Sequence, residues 1–163
     1  MKPNILIAAA VAAAFPGSAQ AGAPQVEQGL RFLVGEWTIA GFEGRYTDSC
    51  AWFDDHALVV CNTMDGRRGG KPQHHVAALG WSAERGNYTY LGYAQDGSSR
   101  FMDCFANALK GLSCLDEHRG SDGVTQLRTH IWPTVTGLGL RQEKSVNGGA
   151  WSDVGQVQYI PKK

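Results

Sequence analysis

The sequence predicts an all-β domain, an antiparallel up-and-down β-barrel of about 8–10 strands with a short N-terminal helix. Three observations predict this fold. The chain contains about ten short segments of strand-like composition. Clusters of turn-forming residues such as 120–123, Gly-Ser-Asp-Gly, separate them. No helical repeat between the segments is long enough to connect parallel strands. Closing the sheet removes its exposed edges, which favours a barrel over the alternative, a two-sheet sandwich.

The first 21 residues are typical of a secretory signal peptide. Lys2 supplies a positive start, residues 5–15 are an unbroken apolar run, and 19–21 read Ala-Gln-Ala, a small-x-small cleavage signal. The apolar run is well short of the roughly 20 residues that a membrane-spanning helix needs. We therefore expect a signal peptide over 1–21, a barrel domain over 22–163, no membrane span after cleavage, and a periplasmic or secreted protein.

The helix is expected just before the first strand. Val26, Leu30 and Leu33 recur at the spacing of one helical face. From there the alternation of residue types and the turn signals predict strands near 36–42, 45–53, 58–64, 74–81, 87–94, 100–106, 111–117, 124–132, 138–145 and 151–160.

Composition narrows the class of partner. The chain carries 15 Lys+Arg against 15 Asp+Glu, and 43% of its residues are hydrophobic. A chain of this kind can bury a core, so extended disorder is excluded. Nucleic acid is not an expected partner, since binding phosphates requires a clear excess of basic residues.

The four cysteines are expected to form two disulfides inside hairpins. If Phe53 faces Leu58 across a four-residue loop, Cys50 lies opposite Cys61. The same arithmetic, applied to a turn over residues 107–111, places Cys104 opposite Cys114. Three pairings are possible in principle, and these spacings favour this one. An exported protein is the usual setting for such bonds.

Several segments resemble a bacterial lipocalin-like, calycin-type β-barrel family of unknown function. Residues 30–37, Leu-Arg-Phe-Leu-Val-Gly-Glu-Trp, are similar to its opening helix and Gly-x-Trp first strand, and 79–81, Leu-Gly-Trp, to its internal strand starts. The segment from Trp151 to Tyr159 is similar to its last strand. The resemblance implies a small-molecule cavity, with Trp37 at one end of the barrel. It also implies a basic residue from a late strand over that tryptophan, for which Arg128 and Arg141 are candidates.

Two late strands carry a charged group of side chains. If Pro133 pairs with Leu138, then His130 pairs with Arg141 and Arg128 with Glu143. The apolar residues of these strands should face the interior, which makes the charged set a solvated outer ladder. The alternative turns the set inward, where Arg128 and Arg141 would clamp an anion and His130 would be a polar or titrating partner.

We expect an exported protein that holds a small apolar or amphipathic molecule inside the barrel. The expected apolar wall consists of Trp37, Trp81, Tyr90 and Tyr93, and the best polar candidates are Arg128, His130 and Arg141. No catalytic motif, metal-ligand spacing or cofactor is predicted. Two alternatives stay open. An isomerase or hydrolase would bury a titratable residue beside a convergent pair of donors. An envelope interaction module would have a filled barrel and an exposed apolar patch.

Overall fold

A computed structural model describes residues 23–53 and 55–163, so the predicted signal peptide, 1–21, lies outside the described residues. The chain forms helix α1 (Ala23–Leu30), a 3-10 turn (Arg31–Leu33) and ten β-strands. The strands are β1 (Gly35–Ile39), β2 (Tyr46–Phe53), β3 (Leu58–Asp65), β4 (Gln73–Ser82), β5 (Asn87–Ala94), β6 (Ser99–Ala106), β7 (Leu112–Gly120), β8 (Gly123–Thr134), β9 (Gly137–Val146) and β10 (Ser152–Pro161).

The ten strands close into one antiparallel barrel. Each strand pairs with its neighbours in sequence, and β1 pairs with β10 to complete the ring. The up-and-down barrel is therefore confirmed, and the alternative of two stacked sheets is wrong. Closure leaves every strand with a partner on both sides, which removes the edge that an open sheet of this size would expose.

The predicted strands are confirmed with small shifts at their ends. β1 ends at Ile39 rather than at residue 42, because the chain turns at Gly41, whose φ is +84°, and the Phe42 amide hydrogen-bonds to the Ile39 carbonyl. β7 and β8 are longer than predicted. Their ladder runs on to the pair Gly120 and Gly123, which leaves a two-residue turn.

Helix α1 covers one end of the barrel. It buries Val26 and Leu30 against the core, and Leu33 follows in the same cluster. The helix packs on β3 and β4. Gly29 is needed there, since a Cβ at this position would overlap the Tyr88 ring. We call this end of the barrel the closed end, and the opposite end, which carries the β3–β4, β5–β6 and β7–β8 loops, the mouth.

Both predicted disulfides are confirmed. Cys50 is bonded to Cys61 across β2 and β3, and Cys104 to Cys114 across β6 and β7. The register in each hairpin is the one that the loop lengths predict, with the cysteines directly opposite each other. All four side chains are buried, so the bonds stand inside the barrel wall.

Candidate ligand-binding site

The barrel interior holds a cavity of about 190 Å³. Its volume exceeds the roughly 150 Å³ apolar cavity that binds benzene in a well-studied protein, so it has room for one ring and a few further atoms. It is smaller than the range of about 300–1,000 Å³ that is usual for drug-sized ligands. Most lining side chains are apolar: Leu33, Trp37, Cys50, Cys61, Leu79, Met102, Cys114, Ile131, Leu138 and Leu140, and the others are Tyr46, Asp48, Thr63, Tyr90, Thr129 and Tyr159.

Strand alternation decides which side chains reach the cavity. On β2, Tyr46, Asp48 and Cys50 are two residues apart and therefore share the inner face. Trp37 of β1 lies directly opposite Asp48 in the register and also lines the cavity. Its indole Nε1 donates a hydrogen bond to the Leu33 carbonyl at 2.7 Å, which fixes the ring where the 3-10 turn enters β1.

One side of the cavity is polar. Asp48 is partly buried there and accepts a hydrogen bond from the Thr63 hydroxyl at 2.9 Å. Burial raises the pKa of the Asp48 carboxyl above its ordinary value of 3.8, and the hydrogen bond from Thr63 opposes that shift. A carboxyl in this setting is costly for the fold, because its charged form has lost much of its hydration.

Two tyrosines complete the polar side. The hydroxyls of Tyr46 and Tyr159 share a hydrogen bond of 3.3 Å, and their rings meet edge to face. Burial raises the pKa of both hydroxyls, and the charge of Asp48 adds to the shift, so both stay protonated at neutral pH. Burial raises the pKa of Tyr90 as well. The cavity thus combines one carboxyl with neutral phenols.

The Arg67 side chain packs against one of these rings. The Arg67 guanidinium lies 5.0 Å from the centre of the Tyr46 ring. Arg67 also donates two hydrogen bonds to the Asp65 carboxylate, at 2.9 and 2.7 Å, so its charge is neutralised beside the cavity. That guanidinium lowers the pKa of Asp65.

Asp48 lies close to a disulfide but not in a metal site. A carboxylate oxygen of Asp48 and the sulfurs of Cys50 and Cys61 are all within 4.8 Å of one another. The two sulfurs are bonded to each other, so they are not thiolates and cannot bind an ion as such. These three residues are therefore not a candidate metal site.

A second, more polar pocket lies at the mouth. It has a volume of about 290 Å³, and its lining includes His75, Arg100 and His118. The Asp116 carboxylate contacts two of these side chains, with its Oδ2 2.9 Å from Arg100 Nε and 3.2 Å from His118 Nε2. Tyr90 lines both this pocket and the interior cavity. The Tyr90 ring therefore forms part of the boundary between the mouth and the interior.

The four predicted wall residues lie in different places. Trp37 and Tyr90 line the cavity. Trp81 packs edge to face on Tyr88, 5.0 Å between ring centres, and is not among the cavity-lining residues. Tyr93 is three positions from Tyr90 and so lies on the outer face, with 52% of its surface exposed.

The structure brings the predicted polar candidates together on the outside of the barrel. His130 pairs with Arg141 and Arg128 with Glu143, in the predicted register. Arg128 donates two hydrogen bonds to Glu143, at 3.0 and 2.7 Å, and His130 Nε2 lies 3.1 Å from the same oxygen. The Arg128 guanidinium stacks on Trp151 at 4.2 Å, not on Trp37 as the resemblance implies. These partners lower the pKa of Glu143.

This outer ladder does not line the cavity. The neighbours of these side chains along the strands, Thr129, Ile131 and Leu140, do line it, so Arg128, His130 and Arg141 have the opposite orientation. The three side chains therefore lie in a ladder on the outer face of the barrel, and they are not part of the interior site.

Sequence reasoning missed the residues of the polar side: Tyr46, Asp48, Thr63 and Tyr159. A signal was present. Once Cys50 is assigned to an inward disulfide, Asp48 and Tyr46 must share its face, because they are two and four residues away on the same strand.

Comparison with protein-family models and with curated proteins finds no match for this chain. The closed antiparallel barrel is compatible with a calycin-like fold. Among residues 23–53 and 55–163, no helix has the length and apolar character needed to cross a bilayer.

We expect the pKa shift of Asp48 to appear as a pH-dependent stability difference. The folded protein holds the Asp48 proton more tightly than the unfolded chain does. The free-energy cost of ionising Asp48 in the folded protein is therefore absent below pH 3.8. It grows as pH rises through the raised pKa. Asp48→Asn should therefore gain stability relative to wild type between about pH 4 and 7, by ~1.4 kcal/mol for each unit of the shift.

Urea unfolding of both proteins at several pH values measures this difference. Tyr46, Tyr90 and Tyr159 face the same cavity, but burial keeps their hydroxyls neutral over this range, so they do not mask it. Asp153→Asn on the outer surface is the matched control. A stability difference that stays constant with pH would show that Asp48 is not desolvated in the folded protein.

Proposed function

We propose that this protein binds a small apolar or amphipathic molecule in the barrel interior. The observation that carries the proposal is the 190 Å³ cavity, whose wall is mostly apolar and which has a group of polar side chains from the nearby strands β10, β2 and β3 on one side. Such a wall provides binding energy through burial of the ligand, and a few polar groups fix its orientation. The volume limits the ligand to about one ring with a short substituent.

The lipocalin-like resemblance supports the same function. The Gly-x-Trp segment starts β1, and its tryptophan, Trp37, lines the cavity beside the covering helix. We propose that the chain is a relative of the bacterial lipocalin-like barrels on this ground, together with its strand order. The resemblance implies a cavity but brings no particular ligand.

Export is part of the proposal. Residues 1–21 have the composition of a signal peptide, and the described chain has two disulfides and no free cysteine. Structural disulfides persist in oxidising compartments such as the periplasm. We therefore propose that the protein acts in the periplasm or outside the cell.

We expect ring-sized probes to raise the melting temperature, and a variant with a filled cavity to lose this response. Benzyl alcohol, phenol and indole are suitable probes, read by thermal unfolding and by calorimetry. A ligand at a hundred times its Kd adds about 2.7 kcal/mol of stability. Leu140→Trp places a large ring in the cavity, at a packing cost of about 1–3 kcal/mol.

Leu115→Trp is the matched control, because Leu115 is exposed on the outer surface of β7. It should keep the wild-type response to every probe. If Leu140→Trp does not fold, Leu140→Phe makes a smaller version of the same change. A wild-type protein that ignores all three probes, or a filled variant that responds as wild type does, would reject the interior site.

Proton-transfer catalysis is a second candidate, favoured by a specific observation. Asp48 is a desolvated carboxyl on the same side of the cavity as the Tyr46 and Tyr159 hydroxyls. An isomerase needs this combination. The carboxylate would take a proton from the carbon next to a carbonyl, a tyrosyl hydroxyl would donate a hydrogen bond to the resulting enolate oxygen, and Asp48 would return the proton to carbon.

Exchange of the α-hydrogens of cyclohexanone in D₂O, followed by NMR, tests this candidate. Enzyme-dependent exchange that disappears in Asp48→Asn would favour the isomerase. Exchange at the buffer rate, together with probe binding, would instead support the first function, that of a small-molecule carrier.

The interaction-module alternative has one supporting feature. The outer surface exposes a group of large apolar side chains on neighbouring strands, Val76, Leu91, Tyr93, Phe101 and Leu115. That alternative also requires a filled barrel, however, and the interior cavity favours the carrier instead.

A further inference from the structure

Four aromatic rings line the same cavity as one carboxyl. Trp37 comes from β1, Tyr46 from β2, Tyr90 from β5 and Tyr159 from β10, and all four line the same space as Asp48. The faces of these rings carry negative partial charge, so they attract cations. Phenol hydroxyls and indole nitrogen donate hydrogen bonds but carry no positive charge at neutral pH.

The Asp48 carboxylate has no cationic partner in the described part of the chain. Its hydrogen bond there comes from the neutral Thr63 hydroxyl. Arg67 is paired with Asp65 instead. A buried carboxylate is stabilised most by a cation that hydrogen-bonds to it directly. A cationic ligand bound in the cavity would supply this missing partner.

We propose that the interior site selects a small organic ammonium ion, with its ammonium group on Asp48 and its hydrocarbon part against the aromatic and aliphatic walls. This inference rests on the proposed function and specifies the class of ligand. A primary ammonium on a single ring combines the required charge with the size that the cavity admits.

Charge separates this ligand class from its competitors. An anion of the same shape would meet the carboxylate and the ring faces, which both repel it. A neutral alcohol can donate a hydrogen bond to Asp48 but gains no charge attraction.

Three compounds of matched shape test the proposal: benzylamine, benzyl alcohol and benzoate. Calorimetry at pH 7 should find that wild-type protein binds benzylamine about tenfold or more tightly than benzyl alcohol, and benzoate most weakly. Asp48→Asn should bind benzylamine and benzyl alcohol with similar affinity. Asp153→Asn removes an exposed outer carboxylate and should keep the wild-type preference.

The pH dependence of benzylamine affinity is a second test. Benzylamine stays charged from pH 4 to 7, so its affinity should fall as Asp48 gains a proton on acidification. The affinity for benzyl alcohol should change little. The other ionisable groups of the cavity, Tyr46, Tyr90 and Tyr159, remain neutral throughout.

The outcomes distinguish this inference from the proposed function. Equal or tighter binding of benzyl alcohol or benzoate, or a preference for benzylamine that survives in Asp48→Asn, would overturn the ammonium site and leave the carrier standing. Failure of all three compounds, together with no response to phenol and indole, would overturn both.

Discussion

Replacing Trp37 with alanine is expected to lower the free energy of unfolding by about 3–5 kcal/mol. The indole packs against the core cluster and lines the cavity, so its removal enlarges an existing void that the neighbours cannot fill by collapsing. The hydrogen bond to the Leu33 carbonyl is lost with it. That bond joins β1 to the turn after helix α1, so the cover of the closed end should loosen as well.

Chemical denaturation with urea measures this loss. Trp151→Ala is the matched control, because Trp151 is 37% exposed and contacts the Arg128 guanidinium on the outer surface. Its removal should cost about 1 kcal/mol or less. A Trp37→Ala variant within 1 kcal/mol of wild type would mean that the ring does not support the closed end.

Removing either disulfide should destabilise the protein by roughly 2–3 kcal/mol. The linked residues are 11 positions apart in one hairpin and 10 in the other, and loops of this size restrict the unfolded chain by about that amount. Alanine pairs at 50 and 61, or at 104 and 114, are suitable because the sites are buried and a hydroxyl there would lack partners.

The two losses should add when both bonds are removed, because they lie in separate hairpins. Thiol titration of the unfolded wild-type protein is the companion measurement. It should find no reactive thiol without reductant and four with it. Four reactive thiols without reductant would show that the bonds do not form in the cell, and a stability unchanged by the alanine pairs would show that they do not support the fold.

Local rules suffice to predict most of this barrel. Hairpin registers follow from loop length and residue type, which is why the pairings Cys50 with Cys61 and His130 with Arg141 could be counted from the sequence. The choice between a barrel and a sandwich needed the additional condition that no strand edge stays open. The ends of strands were less predictable, since the turn at Gly41 and the pair of Gly120 with Gly123 depend on backbone conformation.

The site was harder to predict, because it depends on which way each side chain faces. Tyr90 and Tyr93 were assigned to one wall, yet residues three apart on a strand lie on opposite faces. Arg128 and Arg141 stood out by charge, but charge on an antiparallel sheet is most often on the solvent side. Asp48 did not stand out, because its role comes from burial among residues that are distant in sequence.

The size of the cavity could not be deduced from the pattern at all. It is what remains after the side chains of ten strands have packed, and exchanging a single Leu for Trp changes it. Pattern alone therefore allows a ring-sized cavity and a filled interior equally well.

Strand β1 has a further consequence for the dynamics of the barrel. It is five residues long and is paired over three positions with β2 and over three with β10, whereas β8 and β9 are paired over ten. Neither disulfide holds it. Amide protons of β1 should therefore exchange with solvent before those of the other strands. A detachment of β1 would open the barrel wall beside the cavity, where Trp37 lies, without any movement of the loops.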